Sequence, residues 1–296
     1  MNFKTIWSMV RRTFSAWDGD EAPRLGAALA FYTILSLAPL VLLAVAGMGF
    51  FLGHSTVQSH LLAEVDGLVG AQGAEYVKAI IEQAQKPSSG VFASIIGLIT
   101  LLFGASGVFG ELRTALNKVW DVPVDPKGGL WRTIRERIFS FGLVLGVGFL
   151  LLVSLVISAA LAALGSYLGG SVPAAVLKVI NLVVSLVGTS ALFALIFRYV
   201  PEAKIAWKDV WVGASVTAVL FTIGKSLIGL YLGKAAVGSA YGAAGSLVVI
   251  IVWVYYSSMI FLFGAEFTHE IYASRKTPQP PVANPILSPA RVWKPS

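Results

Sequence analysis

The sequence predicts an all-α, polytopic integral membrane protein with six transmembrane helices and additional amphipathic helices at the membrane interface. Of its 296 residues, 56% are hydrophobic and only 12% are charged, whereas soluble domains carry about 25% charged residues. The alternating segments of about ten residues that are typical of an outer-membrane barrel are not found. The chain has no cysteine, which excludes disulfides, thiol nucleophiles and thiolate metal sites.

The N-terminal segment, residues 1–23, is predicted to form an amphipathic helix on the cytoplasmic interface. Its apolar side chains recur at spacings of three and four, and its basic side chains occupy the other faces. Trp7 and Trp17 would then lie at headgroup depth. A soluble helix packed on a cytoplasmic loop is the alternative interpretation.

The first predicted span covers about 25–53 and contains no formally charged residue. At about 1.5 Å per residue it would run about 40 Å, which exceeds a bilayer core of about 30 Å. Pro39 lies inside this span and removes one backbone hydrogen bond, so we expect a kink there. Ser36 and Thr33 are near enough to satisfy the freed backbone.

The rest of the chain contains five further predicted spans. Residues 54–89 come first, with short helices expected at about 56–69 and 74–85, and we place them as an external helical cap over the bundle. The tail, 273–296, is rich in proline, so we expect it to be disordered and cytoplasmic. The transmembrane domain therefore covers 24–272, and its remaining spans are about 91–108, 138–164, 174–197, 208–232 and 245–268.

The distribution of basic residues predicts the orientation. Seventeen of the 22 Lys and Arg residues fall in segments on one side of the predicted membrane and three on the other, while Lys178 and Lys225 lie within spans. Lysine and arginine collect on the cytoplasmic side, so both termini are predicted to be cytoplasmic in a bacterial inner membrane. The net charge of +7 is explained by contact with anionic lipid headgroups, and a nucleic-acid partner is not expected.

Signals for an enzyme are weak. His54 and His60 are expected outside and His269 inside, so the three histidines cannot form one metal cluster. The sequence has neither a GxSxG nucleophile elbow nor a phosphate-binding P-loop. We therefore predict no catalytic residue, no metal site and no cofactor.

Polar residues inside the spans are more informative, because charge in a bilayer is costly and usually faces the bundle interior. Lys225 shares a helical stripe with Ala214, Ala218, Thr222 and Gly229, a face of small side chains that would pack closely against other helices or border a cavity. Snorkelling of Lys225 to the outer headgroups is the alternative. Lys178 is expected to snorkel.

A second polar stripe lies on the sixth predicted span. Tyr255, Ser258, Glu266 and His269 fall on one side of that helix. Such a stripe either joins helices by hydrogen bonds or lines a path, and the sequence leaves both open.

The inner membrane boundary carries a third polar group, formed by Arg24, Glu111, Arg113 and Asn117. An Arg24–Glu111 or Arg113–Glu266 ion pair would clasp helices together. Alternatively, the same cations could hold a lipid phosphate, since a guanidinium suits a bidentate oxyanion.

Five stretches of the chain together resemble the YihY/BrkB family of bacterial inner-membrane proteins, formerly called ribonuclease BN. The likeness covers about 20–270, in order. The stretches are RLGAALAFYTILSLAPL at 24–40, GELRTALNKVWDV at 110–122, SFGLVLGVGFLLLVSL at 140–155, RYVPEAKIAWKDVWVGA at 198–214 and YGAAGSLVVIIVWVYYSSMIFLFGAEF at 241–267.

The resemblance implies a six-helix inner-membrane protein, and family members have been linked to serum resistance and to export of lipid A precursors. The leading hypothesis is transport of an amphipathic anionic substrate such as a lipid. Its headgroup would pair with Arg24, Arg113 or Lys225, while Glu266 and Tyr255 shape the path. The alternative hypothesis is a non-transporting envelope scaffold that binds a protein partner, and a membrane-bound ribonuclease is a remote alternative. The sequence leaves open whether the protein forms a homo-oligomer.

Overall fold

A computed structural model of the chain describes residues 3–52, 54–85, 107–122, 174–203, 205–234 and 244–276. Within these ranges the chain consists of helices and short connecting turns, with no strand. We number the helices of the described residues in chain order. They are α1 (Phe3–Gly19), α2 (Ala22–Leu52), α3 (His54–Val69), α4 (Ala71–Gln85), α5 (107–119), α6 (Ala174–Tyr199), α7 (Trp207–Lys234) and α8 (Gly245–Lys276).

Three of these helices are long and apolar enough to cross a membrane: Val179–Tyr199 within α6, Trp207–Tyr231 within α7 and Gly245–Arg275 within α8. A shorter apolar stretch, Ala22–Ala38, begins α2. The all-helical class is thus confirmed for the described residues. The number of six spans stays a prediction, because almost all of the predicted spans at 91–108 and 138–164 falls outside them.

Two predictions on helix shape can be compared with the structure. Helix α2 is continuous through Pro39, and the Ser36 hydroxyl donates to the carbonyl oxygens of Tyr32 and Thr33, each at 3.1 Å. Ser36 is therefore engaged with carbonyls one turn back along the helix. Helix α8 continues to Lys276, so the first residues of the segment predicted as a disordered tail are helical, and residues 277–296 lie outside the described ranges.

Three residues with a left-handed backbone conformation lie just after the ends of helices. Glu21 has φ 56° between α1 and α2, and its carbonyl accepts the first backbone bonds of α2. Gly70 has φ 85° between α3 and α4. Asp121 has φ 51° after α5, where the N–H of Val122 bonds to the Asn117 carbonyl, the hydrogen-bond pattern of a Schellman C-cap.

Apolar side chains pack into two separate clusters along the bundle. The first, which we call the inner cluster, joins the start of α2, helix α5, the end of α6, the start of α7 and the end of α8. Phe193, Phe197, Phe221 and Phe261 form its aromatic centre, with ring centroids 5.2–6.2 Å apart in the contacting pairs. The second, the outer cluster, joins α3 and α4 to the second half of α2, the end of α7 and the start of α8.

Glycines set the closest approach of α7 and α8. The Thr268 side chain fills the space above Gly213, and Thr217 fills the space above Gly264, so that a Cβ at either glycine would overlap the threonine. Both threonine hydroxyls donate to the carbonyl of the residue four positions back on their own helices. The two helices therefore interlock antiparallel at two glycine–threonine pairs, the small-residue packing that membrane helices favour.

Candidate functional site

An ion pair joins α5 to the turn after α6. The Arg113 guanidinium bonds to the Glu202 carboxylate, and the side chains are 22% and 30% exposed. The backbone N–H of Glu202 donates to Oδ1 of Asn117 at 2.9 Å. Arg113 and Asn117 therefore hold the turn after α6 together, and the predicted Arg113–Glu266 pair is corrected to Arg113–Glu202.

Arg24 also has a different partner from the one predicted. It pairs with Glu21, three residues earlier, and both side chains are exposed. The hydrogen bond from Arg24 and its positive charge lower the pKa of Glu21 below its usual value. The predicted Arg24–Glu111 pair is thus replaced by a local pair that closes the α1–α2 turn, while Glu111 lies half-buried on α5.

If the Arg113–Glu202 ion pair holds α5 against the turn after α6, removing either side chain should lower the stability of the protein by the same amount. We expect Arg113→Ala and Glu202→Ala each to lower stability by about 1 kcal/mol, in line with partly exposed ion pairs. The double variant should be little worse than either single one, because the interaction is lost only once. Thermal unfolding in detergent measures this cycle, and fully additive losses would contradict the clasp.

Glu266 occupies the most enclosed position among the predicted site residues. It is 1% exposed on α8, and its Oε1 has no hydrogen-bond partner in the described structure. Leu262 and Ala265 beside it are fully buried. The polar stripe on α8 thus faces packed helices at Glu266, while Tyr255 and Ser258 are half-buried near Gly26 of α2.

Lys225 stands apart from the inner group. Ala214 and Ala218 on its stripe are fully buried in the inner cluster, as the small-residue face predicts, and the Thr222 hydroxyl donates to the Ala218 carbonyl at 2.8 Å. Lys225 itself is half-buried. The structure therefore brings Arg113 and Asn117 of α5 together at Glu202, whereas Lys225 lies on α7 and is not part of this group.

An apolar groove that the sequence reasoning did not predict runs between α1, α7 and α8. Its volume is about 360 Å³. The lining side chains are almost entirely apolar, and Ile223, Leu227 and Phe14 are 53–61% exposed. The residues that line it are Phe14, Trp17, Leu220, Ile223, Gly224, Leu227, Tyr256, Met259, Ile260 and Phe263.

Helix α1 closes one side of this groove and is fixed to α8 at two points. The indole Nε1 of Trp17 donates to the Met259 carbonyl at 3.2 Å, and Arg12 pairs with Glu270 at 3.2 Å. The amphipathic period of α1 was visible in the sequence. Its docking on α8 was not, because the contacting residues are more than 240 positions apart.

No metal site is evident in the part of the chain that the structure describes, where no three His, Asp or Glu side chains are grouped to hold an ion. The site is thus a set of ion pairs, one buried glutamate and an apolar groove.

Comparison with known proteins gives consistent matches. The family model "Virulence factor BrkB" matches residues 13–285. Similar curated proteins include the UPF0761 membrane protein RSc1559 of Ralstonia nicotianae, 27% identical over 83% of this chain and 54% of that protein. A UPF0761 membrane protein of Verminephrobacter eiseniae is 28% identical over 90% of this chain and 62% of its own length.

A UPF0761 membrane protein of Alteromonas mediterranea is 29% identical over 81% of this chain and 79% of that protein. The chain thus spans between about half and four-fifths of the length of these three relatives. No solved structure matches it.

Proposed function

The chain belongs to the BrkB virulence-factor family of membrane proteins, and from this premise we propose that it moves an amphipathic anionic substrate, such as a lipid, across a bacterial inner membrane. Both termini would face the cytoplasm, as the lysine and arginine distribution predicts. Its relatives are named as membrane proteins without a stated activity, so the proposal rests on this chain's own residues.

The apolar groove between α1, α7 and α8 is the observation that carries the proposal. Exposed apolar side chains on a membrane-spanning helix face hydrocarbon, so Ile223 and Leu227 open the groove towards the bilayer. A site that is concave, apolar and open to lipid suits an acyl chain. Arg11, exposed one turn before Phe14 on α1, offers a cation for an anionic headgroup at the rim.

The cations predicted to bind the headgroup need a revised role. Arg24 and Arg113 are engaged by Glu21 and Glu202, so a headgroup at either guanidinium would share it with a carboxylate. Lys225 lies on the face of α7 roughly opposite the groove-lining residues, as the 3.6-residue period requires. We therefore assign Arg24 and Arg113 to clasping, and keep Lys225 as a headgroup site on a second face.

Filling the groove tests this proposal. Leu227→Trp adds bulk within the groove, and Leu230→Trp adds the same bulk at a residue of similar exposure on α7 that does not line it. In proteoliposomes, a headgroup-labelled anionic lipid and a membrane-impermeant quencher report translocation. We expect Leu227→Trp to slow it about tenfold, a barrier change of about 1.4 kcal/mol, and Leu230→Trp to leave it unchanged.

Two outcomes would contradict the proposal. Quenching confined to one leaflet for the unmodified protein, with and without a pH gradient, would count against autonomous lipid transport and favour an envelope scaffold. Equal rates for the two tryptophan variants would remove the groove from the path. Lys225→Ala, run beside them, tests the second headgroup position.

A further inference from the structure

Helices α7 and α8 each carry a polar residue where one apolar cluster gives way to the other. On α7, Lys225 lies one turn beyond Phe221, which packs against the inner cluster. On α8, Ser257 lies between Phe261 of the inner cluster and Trp253, which packs against the outer cluster. The apolar core of the bundle is therefore interrupted between these two helices.

Ring contacts bring the two interruptions together. Phe221 of α7 packs edge-on against Trp253 of α8, with ring centroids 6.3 Å apart, and against Phe193 of α6 at 5.5 Å. Phe193 in turn contacts Phe261 of α8 at 5.8 Å. Ser257 is one turn from both Trp253 and Phe261, on the same face of α8. It therefore lies across from Phe221.

Lys225 belongs to the same part of the α7–α8 contact. It follows Phe221 by four residues, which places both on one face of α7. The two helices run antiparallel, as their glycine–threonine pairs show, so the step from Phe221 to Lys225 has the same direction as the step from Ser257 to Trp253. Lys225, Trp253 and Ser257 therefore border one stretch of the contact, within the membrane-spanning parts of both helices.

Two of these three polar groups are buried without a partner. The indole Nε1 of Trp253 and the hydroxyl of Ser257 are shielded from solvent and form no hydrogen bond with any described residue. By contrast, Thr217 and Thr222 on α7 each donate to the carbonyl four residues back. A buried indole N–H usually has a partner, and an unpaired polar group in a membrane interior is costly. The pair therefore indicates a ligand.

The donors at this position call for an anion. An indole N–H and an ammonium only donate, and a hydroxyl is able to donate. Lys225 is half-buried and has neither an ion pair nor a hydrogen bond among the described residues. The acids of α7 and α8 are Asp209, Glu266 and Glu270, all at least two helical turns away, and α2 and α6 have none. In the cap helices α3 and α4, the acids whose side chains are described are exposed.

We propose that Lys225, Trp253 and Ser257 form a binding site for the phosphate of an anionic lipid. A phosphate carries several acceptor oxygens and a negative charge, so it can accept from all three groups at once. A lipid is the source that fits, because its acyl chains hold the phosphate in the membrane, whereas free phosphate stays in water. The inference names the headgroup contacts of the transported substrate and so rests on the proposed function.

Native mass spectrometry of the purified full-length protein in detergent measures this binding. The probes are phosphatidylglycerol, diacylglycerol with the same acyl chains, and inorganic phosphate. We expect the unmodified protein to bind phosphatidylglycerol about tenfold or more tightly than diacylglycerol, because only the former offers charged oxygens to the three donors. Inorganic phosphate should show no binding at the same concentrations.

Substitutions test each donor separately. Lys225→Met removes the charge and keeps the apolar stem, and it should weaken phosphatidylglycerol binding about tenfold, whereas Lys225→Arg should retain most of it. Trp253→Phe and Ser257→Ala each remove one donor, and we expect each to weaken binding about threefold to tenfold. Lys208→Met is the matched control, because it removes an exposed lysine from the start of α7, and it should leave the affinity unchanged.

Three outcomes would overturn the inference. The first is equal affinity for phosphatidylglycerol in Lys225→Met and Lys208→Met. The second is a loss in Lys225→Met that Trp253→Phe and Ser257→Ala do not share, which indicates a lysine that snorkels to the headgroups. The third is inorganic phosphate binding as tightly as phosphatidylglycerol, which replaces the lipid by a free anion. Ser257→Ala, the smallest change, keeps the test valid if Lys225→Met fails to fold.

These binding measurements need no translocation. Selective binding that depends on Lys225, Trp253 and Ser257 in a protein that moves no lipid would contradict the proposed function alone. Translocation by a protein that binds phosphatidylglycerol and diacylglycerol equally would contradict the phosphate site alone.

Discussion

Replacing Gly213 by alanine is expected to lower the stability of the bundle by about 1–3 kcal/mol, the usual cost of overpacking. A Cβ at this position would overlap the buried Thr268 side chain of α8, where several of its atoms are too close to accept it. Helices α7 and α8 would have to separate along their interlocked face. Thermal unfolding in detergent, followed by loss of monodisperse protein, measures the effect.

Gly229→Ala provides the matched control for this variant, because it lies on the same helix and a Cβ there has no neighbour within 4 Å. It should be neutral or slightly stabilising, since alanine favours helix over glycine by about 1 kcal/mol. Thr268→Gly combined with Gly213→Ala should recover part of the loss through relief of the overlap. Equal stability of Gly213→Ala and Gly229→Ala would show that the helices do not meet there.

The second large effect is expected at Asp209, which is 3% exposed at the start of α7 and accepts a hydrogen bond from the Arg275 guanidinium of α8. Arg275→Ala leaves that carboxylate buried without its cation. We expect a loss of about 2–3 kcal/mol, towards the low end for a broken buried pair, because Arg275 is half-exposed and screened by water.

Asp209→Asn separates the charge from the packing in this pair. It keeps the side-chain shape and removes the buried charge, so it should cost less than Arg275→Ala. Adding Asp209→Asn to Arg275→Ala should restore part of the lost stability. A double variant less stable than Arg275→Ala would contradict the assignment of the loss to an unpaired buried carboxylate. Unfolding of the three variants in one detergent makes the comparison.

The extent of the described helices followed closely from the sequence. The fourth, fifth and sixth spans were predicted at about 174–197, 208–232 and 245–268, and the structure has helices Ala174–Tyr199, Trp207–Lys234 and Gly245–Lys276. Long, mainly apolar runs permit little else in a bilayer, because every backbone polar group must be satisfied within the segment. The family was also predicted from the sequence and is confirmed.

Predictions at the candidate site succeeded where periodicity was enough. Ala214 and Ala218 are buried on the stripe that also carries Lys225, as their spacing indicated. The partners of the inner cations were wrong, because Arg24 pairs with Glu21 and Arg113 with Glu202. Periodicity assigns a side chain to one face of its own helix, and it carries no information on which distant segment lies opposite.

The sequence by itself determined that this is a helical membrane protein and about where its described helices lie, because hydrophobic length and charge distribution act locally along the chain. The family followed from the resemblance of five stretches of the chain and is confirmed by the family-model match. Only the tertiary structure decided that Arg113 meets Glu202 and that α1 docks on α8 to border a groove. Those contacts join segments tens to hundreds of residues apart. They depend on how closely the helices approach one another. Glycine–threonine pairs such as Gly213 and Thr268 set this distance, because the threonine side chain occupies the space above the glycine.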